Sequence, residues 1–89
     1  MGTIYYKIKD DRVDHKGERY FRFDPSRPKV CQITVRAGEL PRGRNNCTGI
    51  YFIDATYFLS NFLLYYIEPI SRDLFDEKFE MVIEVLKAT

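Results

Sequence analysis

The chain has no tryptophan, one histidine and two cysteines. It also has no internal repeat, no low-complexity segment and no stretch that reads as an interdomain linker. These absences narrow the chemistry. No serine sits in a nucleophile-elbow motif, neither Cys31 nor Cys47 has a basic partner nearby in sequence, and His15 lies in a charged turn. General acid–base and nucleophilic sites are furnished quite differently. The chain is therefore not expected to be an enzyme, and no cofactor is expected. The opening residues, Met1-Gly2-Thr3-Ile4-Tyr5-Tyr6-Lys7, lack a basic region followed by an apolar run and a small-residue cleavage site. Gly2 invites a myristoylation reading, but that pattern wants Ser or Thr where this chain has Tyr6. The expected location is cytoplasmic. There the two cysteines are expected as free, buried thiols, and the sequon Asn46-Cys47-Thr48 as a chance match.

What is present is aromatic. Seven Tyr and seven Phe make up 16% of an 89-residue chain whose hydrophobic fraction is 45%. Each aromatic buries about 150–250 Å² when enclosed. A chain this short can thus build a core as one domain over residues 1–89. The stretch from Cys47 to Ile67 is the most apolar, with Asp54 its only formal charge. Gly49, Asp54, Thr56, Ser60 and Asn61 and the lack of flanking basic anchors argue against a membrane span. It divides instead into a strand over Thr48–Ile53 and a helix over Ala55–Ile67, with Asp54 at the N-cap.

Alternation predicts three earlier strands. In the first, from Thr3 to Lys9, Ile4, Tyr6 and Ile8 oppose Tyr5, Lys7 and Lys9. In the second, over Arg19–Asp24, Phe21 and Phe23 oppose Tyr20 and Arg22. In the third, over Lys29–Arg36, Cys31, Ile33 and Val35 oppose Gln32, Thr34 and Arg36. Pro25 and Pro28 separate the second and third, because proline fixes φ and withdraws a ladder donor. The strand at Thr48–Ile53 has apolar residues on both faces, the pattern of a central or doubly covered strand. Pro69 ends the first helix. Ser71 or Asp73 then caps a final helix whose apolar face is Leu74, Phe75, Phe79, Val82, Ile83 and Leu86. The expected fold is α+β: about four mostly antiparallel strands, then two C-terminal helices packed on one sheet face. A small, strongly bent sheet approaching a barrel is the alternative. In either case Ile4, Ile8, Phe21, Phe23, Cys31, Ile33 and Val35 are expected to share one core.

Four groups of residues invite a functional reading. Asp10, Asp11, Asp14 and His15 carry metal-ligating atoms, but their order matches no known loop and Arg12 sits among them, so a solvated turn is expected and no metal. Arg36, Arg42 and Arg44 lie around Gly38, Pro41 and Gly43 in a loop that lacks the Gly-Lys-Ser/Thr ending of a phosphate-cradling loop. They can still pair with carboxylate or phosphate. Tyr5, Tyr20 and Arg22 lie on the predicted outer sheet face, where aromatics interleaved with bases suit a protein interface or a single-stranded nucleic acid. Asp73, Asp76, Glu77, Glu80 and Glu84 form an acidic ridge on the last helix. Charge is polarised to match: residues 1–44 hold eleven Lys or Arg against six acids, and the remainder three against seven.

These features point to a small intracellular binding module that acts by stoichiometric contact with another protein. Arg36, Arg42, Arg44, Tyr5, Tyr20 and Arg22 are its expected contact residues. The same character fits a phage- or virus-type accessory protein that inhibits a host factor by occupying its surface. The alternative is a nucleic-acid-binding domain that uses the Tyr/Arg/Lys sheet face and the basic loop over residues 36–44. No membrane partner is expected. The narrow polar stripe of the 55–67 helix leaves burial or a homodimer seam as its two outcomes.

Overall fold

The computed structural model describes residues 2–9, 18–35, 48–62 and 67–88, and the account below concerns these. Four strands follow one another: β1 (Ile4–Ile8), β2 (Glu18–Phe23), β3 (Lys29–Val35) and β4 (Gly49–Asp54). Helix α1 (Ala55–Asn61), strand β5 (Ile67–Ile70) and helix α2 (Arg72–Ala88) complete the chain. The strands form one open antiparallel sheet in the order β4-β3-β2-β1-β5. It is not closed into a barrel. The α+β class and the antiparallel pairing expected from the sequence are what the structure shows. No helix among the described residues is long and apolar enough to cross a membrane.

Three local readings change. The helix expected over Ala55–Ile67 ends at Asn61, and Ile67 belongs to β5. Pro69 does not merely stop a helix; it lies within this fifth strand, at the sheet edge where proline is tolerated. Asp54 occupies the N-cap position of α1 but makes no side-chain cap bond. Its carboxylate accepts instead from Lys29 Nζ at 2.7 Å. Ser71 caps α2 as expected, its Oγ accepting from the Leu74 N–H at 3.1 Å. Asp73 in the first turn and Lys87 in the last complement the helix dipole.

The larger change concerns the core. The register pairs Tyr20 with Ile33 and Phe21 with Gln32. Directly paired residues share a face, so Cys31, Ile33 and Val35 lie with Tyr20 and Arg22, and Phe21 and Phe23 lie on the other side. The single core expected from the sequence is therefore two. On one face Ile8, Phe21, Val30, Phe58 and Ile67 are buried together, with Tyr6, Phe23, Ile53 and Phe62 against them. On the other, Tyr20, Cys31, Ile33, Val35, Phe75 and Val82 are buried, with Tyr5, Ile50, Ile70 and Phe79 alongside. Helix α1 covers the first face and α2 the second, so the helices take opposite faces rather than one.

Each face has an aromatic centre. Phe58 meets Tyr6, Phe21 and Phe23 at centroid distances of 5.9, 5.1 and 5.5 Å. Phe75 meets Tyr5 at 5.2 Å and stacks on Phe79 at 6.0 Å. Such tilted and offset ring pairs add about 0.5–1.5 kcal/mol each beyond burial. Ile33, Phe58 and Phe75 are fully enclosed.

Two-sided burial makes the faces separately indispensable. Ile33→Asp should abolish cooperative unfolding, because an unpaired charge enters the α2-side core. Phe58→Ala, on the opposite face, should cost about 3–5 kcal/mol through lost burial and the remaining cavity. Denaturant melts of the two variants test this. A parental midpoint for Phe58→Ala would mean that α1 does not close the sheet.

Candidate binding surfaces

The six contact residues expected from the sequence do not assemble as one described surface. Arg36, Arg42 and Arg44 lie outside the described residues, as do the Asp10–His15 cluster and Cys47. The remaining three lie under α2. Tyr20 is 4% exposed and belongs to the core, and its hydroxyl donates to Glu18 Oε1 at 2.6 Å. Tyr5 is half-buried against Phe75. Arg22 is half-buried, its guanidinium 5.7 Å from the Phe75 ring centre and 5.9 Å from that of Phe79. The outer sheet face expected from alternation is thus the seat of α2. Gln32 and Thr34, assigned to it by the same alternation, stand on the α1 side.

The most exposed aromatics are on β4 and α1, with Tyr51 and Phe52 on opposite faces of their strand. Phe52 is 64% exposed, Tyr57 53% and Tyr51 46%. The Tyr51 ring turns back along its strand, so a Cβ added at Gly49 would meet the Tyr51 hydroxyl at 3.0 Å. β4 was expected to be central or covered on both faces. Among the described residues it is the edge of the sheet, paired only with β3. Its six residues, Gly-Ile-Tyr-Phe-Ile-Asp, include no proline and no lysine. The opposite edge is a contrast. β5 has four residues and includes Pro69, and its Glu68 faces Lys7 at 3.5 Å. Short strands, charges and proline are the usual protections of a sheet edge. β5 has all three, whereas β4 has only its terminal Asp54.

The β2–β3 turn closes the sheet beside β4. Its Asp24 carbonyl accepts from the Arg27 N–H at 2.9 Å. Asp24 Oδ1 accepts from the Ser26 N–H at 3.0 Å and from Ser26 Oγ at 2.6 Å. Arg27 Nε lies 3.4 Å from Asp24 Oδ2. The Ser26 side-chain and backbone hydrogen bonds, aided by the Arg27 charge, hold the Asp24 carboxyl below its usual pKa. On the same face the Cys31 thiol is pushed up by burial, partly offset by the Arg22 charge, and is buried and unbridged. It packs in the α2-side core. Among the described residues no group of three or more His, Cys, Asp or Glu side chains can hold a metal ion.

The acidic ridge is where alternation along a helix puts it. Asp73, Asp76, Glu77, Glu80 and Glu84 are all exposed on α2, Asp76 pairing with Arg72 at 3.5 Å. Comparison with protein-family models, with curated proteins and with solved structures finds no match.

The Asp24 turn carries a pH signature. A carboxyl whose folded-state pKa is depressed contributes stability above its unfolded-state value, and loses it as pH falls through the depressed one. The thermal midpoint should therefore fall with acidification across that window. Asp24→Asn should show a flatter midpoint-against-pH curve there. Equal slopes in parent and variant would remove Asp24 from the acid response.

Proposed function

We propose that the protein is a small binding module that engages another protein stoichiometrically, and that the contact is made by the β4 edge with the α1 surface beside it. The observation that carries this reading is the unprotected edge. Among the described residues, six residues of strand are unpaired on one side, beside the exposed aromatics Tyr51, Phe52 and Tyr57. An extended segment of a partner can add there as a further strand. Main-chain hydrogen bonds then supply affinity, and alternate side-chain positions supply selectivity. Tyrosine and phenylalanine are enriched in the centres of protein interfaces. The exposed acids of α2 add a field that steers a basic partner without forming the contact itself.

This role is compatible with an accessory protein that inhibits a host factor by covering its surface. The basic loop over residues 36–44, with Arg36, Arg42 and Arg44, is the competing contact. A nucleic-acid role through that loop is the second reading, and it would announce itself by a steep linear loss of affinity with log salt. Self-association, through β4 or through the 55–67 segment, would make affinity depend on the protein's own concentration.

Capture from a native lysate should be run in parallel with three forms of the protein. Tyr51→Lys/Tyr57→Lys should retain the parental melt within about 0.5 kcal/mol, as exposed sites do. It should weaken retention of the captured protein by at least about 2 kcal/mol, as for central interface aromatics. Arg42→Ala/Arg44→Ala should retain it. The reverse pattern would transfer the contact to the loop, and sedimentation of the parent at several concentrations separates self-association from either.

A further inference from the structure

On the α2 side of the sheet, where β1 begins and the β2–β3 turn closes, a half-open cavity of about 300 Å³ is lined by Thr3, Arg22, Asp24, Arg27, Lys29, Cys31 and Phe52. Three of these side chains are cations and one is an acid. The acid is already engaged, Asp24 Oδ1 by Ser26 and Oδ2 by Arg27. Lys29 pairs with Asp54 at 2.7 Å. Arg22 differs from both. No described carboxylate lies within ion-pair distance of it, and its guanidinium is backed by the Phe75 and Phe79 rings.

We infer that this cavity is a binding site for a phosphate monoester attached to a planar ring, the chemistry of a nucleoside monophosphate, with Arg22 holding the phosphate and Phe52 the ring. A guanidinium offers a fixed fork of donors that matches phosphate oxygens in pairs. Cation–π contact with two aromatic rings favours that position of the fork before any ligand arrives. The Arg27–Asp24 and Lys29–Asp54 pairs are solvent-exposed, and exposed ion pairs are weak. Arg27 and Lys29 can therefore turn toward a dianion at little cost, which favours phosphate over a singly charged carboxylate. Phe52, on the outermost strand, presents an exposed ring at the cavity wall, and base–aromatic stacking tolerates any base. The cavity volume is at the lower end of small-molecule sites, the size for one nucleotide unit rather than a larger cofactor.

The test is an amide NMR titration of the intact chain with adenosine 5′-monophosphate, adenosine and inorganic phosphate, each to several millimolar. Adenosine monophosphate should give saturable shifts clustered at residues 22, 27, 29, 31 and 52. Inorganic phosphate should move the same residues at least tenfold more weakly, and adenosine should not move them. Arg22→Gln should weaken adenosine monophosphate at least tenfold, and Arg22→Lys, which keeps the charge but not the fork, should do so with the melt intact. Phe52→Ala should lower affinity for adenosine monophosphate while leaving that for inorganic phosphate unchanged. A short 5′-phosphorylated single strand, added last, separates the two sources of this chemistry. Tighter binding with shifts spreading beyond the cavity identifies a strand end, and equal binding identifies the free nucleotide. Shifts that do not saturate, shifts spread equally over Arg72, Lys78 and Lys87, or parental affinity in both Arg22 variants would overturn the proposal.

Discussion

Neighbouring residues of a strand point to opposite faces, and in this sheet both faces must be dry. Tyr5 and Tyr6 show the constraint in two consecutive residues, one reaching Phe75 of α2 and the other Phe58 of α1. Tyr20 and Phe21 repeat it on the next strand, both buried on opposite sides. A five-stranded sheet with apolar side chains on both faces cannot be closed by helices on one side. The chain leaves β4 through α1 across one face, pairs β5 with β1 at the far edge, and returns as α2 across the other. The three-layer arrangement follows from that need.

The same arrangement accounts for what is left at the surface. Two faces are covered, so the sheet's remaining interaction capacity lies at its edges, and the edges are unequal. β5 is short, includes Pro69 and pairs Glu68 with Lys7. β4 is longer, has only a terminal acid and shows Tyr51 and Phe52 to solvent. On the α2 side, the start of β1, the β2–β3 turn and Phe52 of β4 enclose the cavity at Arg22. Both candidate surfaces are thus by-products of how two helices divide one sheet. The edge suits an extended protein segment. The cavity suits a small anion with a ring.

Much of this was legible locally. Alternation located β1, β2 and β3 closely, helical spacing located α2, and Ser71 marked its start. The candidate surfaces were much less legible. Arg22 could be read as a base among tyrosines, but not as a guanidinium in cation–π contact with Phe75 and Phe79 of a helix. Arg27 and Lys29 flank a proline-containing turn and look like ordinary solvated charges until the sheet brings them round one cavity. β4 gave the most misleading signal. Apolar residues on both faces, without lysine or proline, describe a buried central strand and an unprotected edge equally well.

The division between sequence and tertiary structure has a simple physical basis. Alternation and helical periodicity are properties of a single segment, set by the geometry of its own backbone, so the sequence by itself determined the α+β class, four of the strands and the C-terminal helix. Which alternating set of one strand meets which set of the next depends on register, a relation between segments that shifts by whole residues at no local cost. That is why Phe21 and Ile33, each correctly read as inward, lie on opposite sides of the sheet. Strand order is likewise non-local: Ile67–Ile70 is strand because β1 offers it an edge to pair with, and β4 is exposed because nothing among the described residues pairs with its far side. Only the tertiary structure decided those pairings, and with them the two cores, the open edge and the cavity at Arg22.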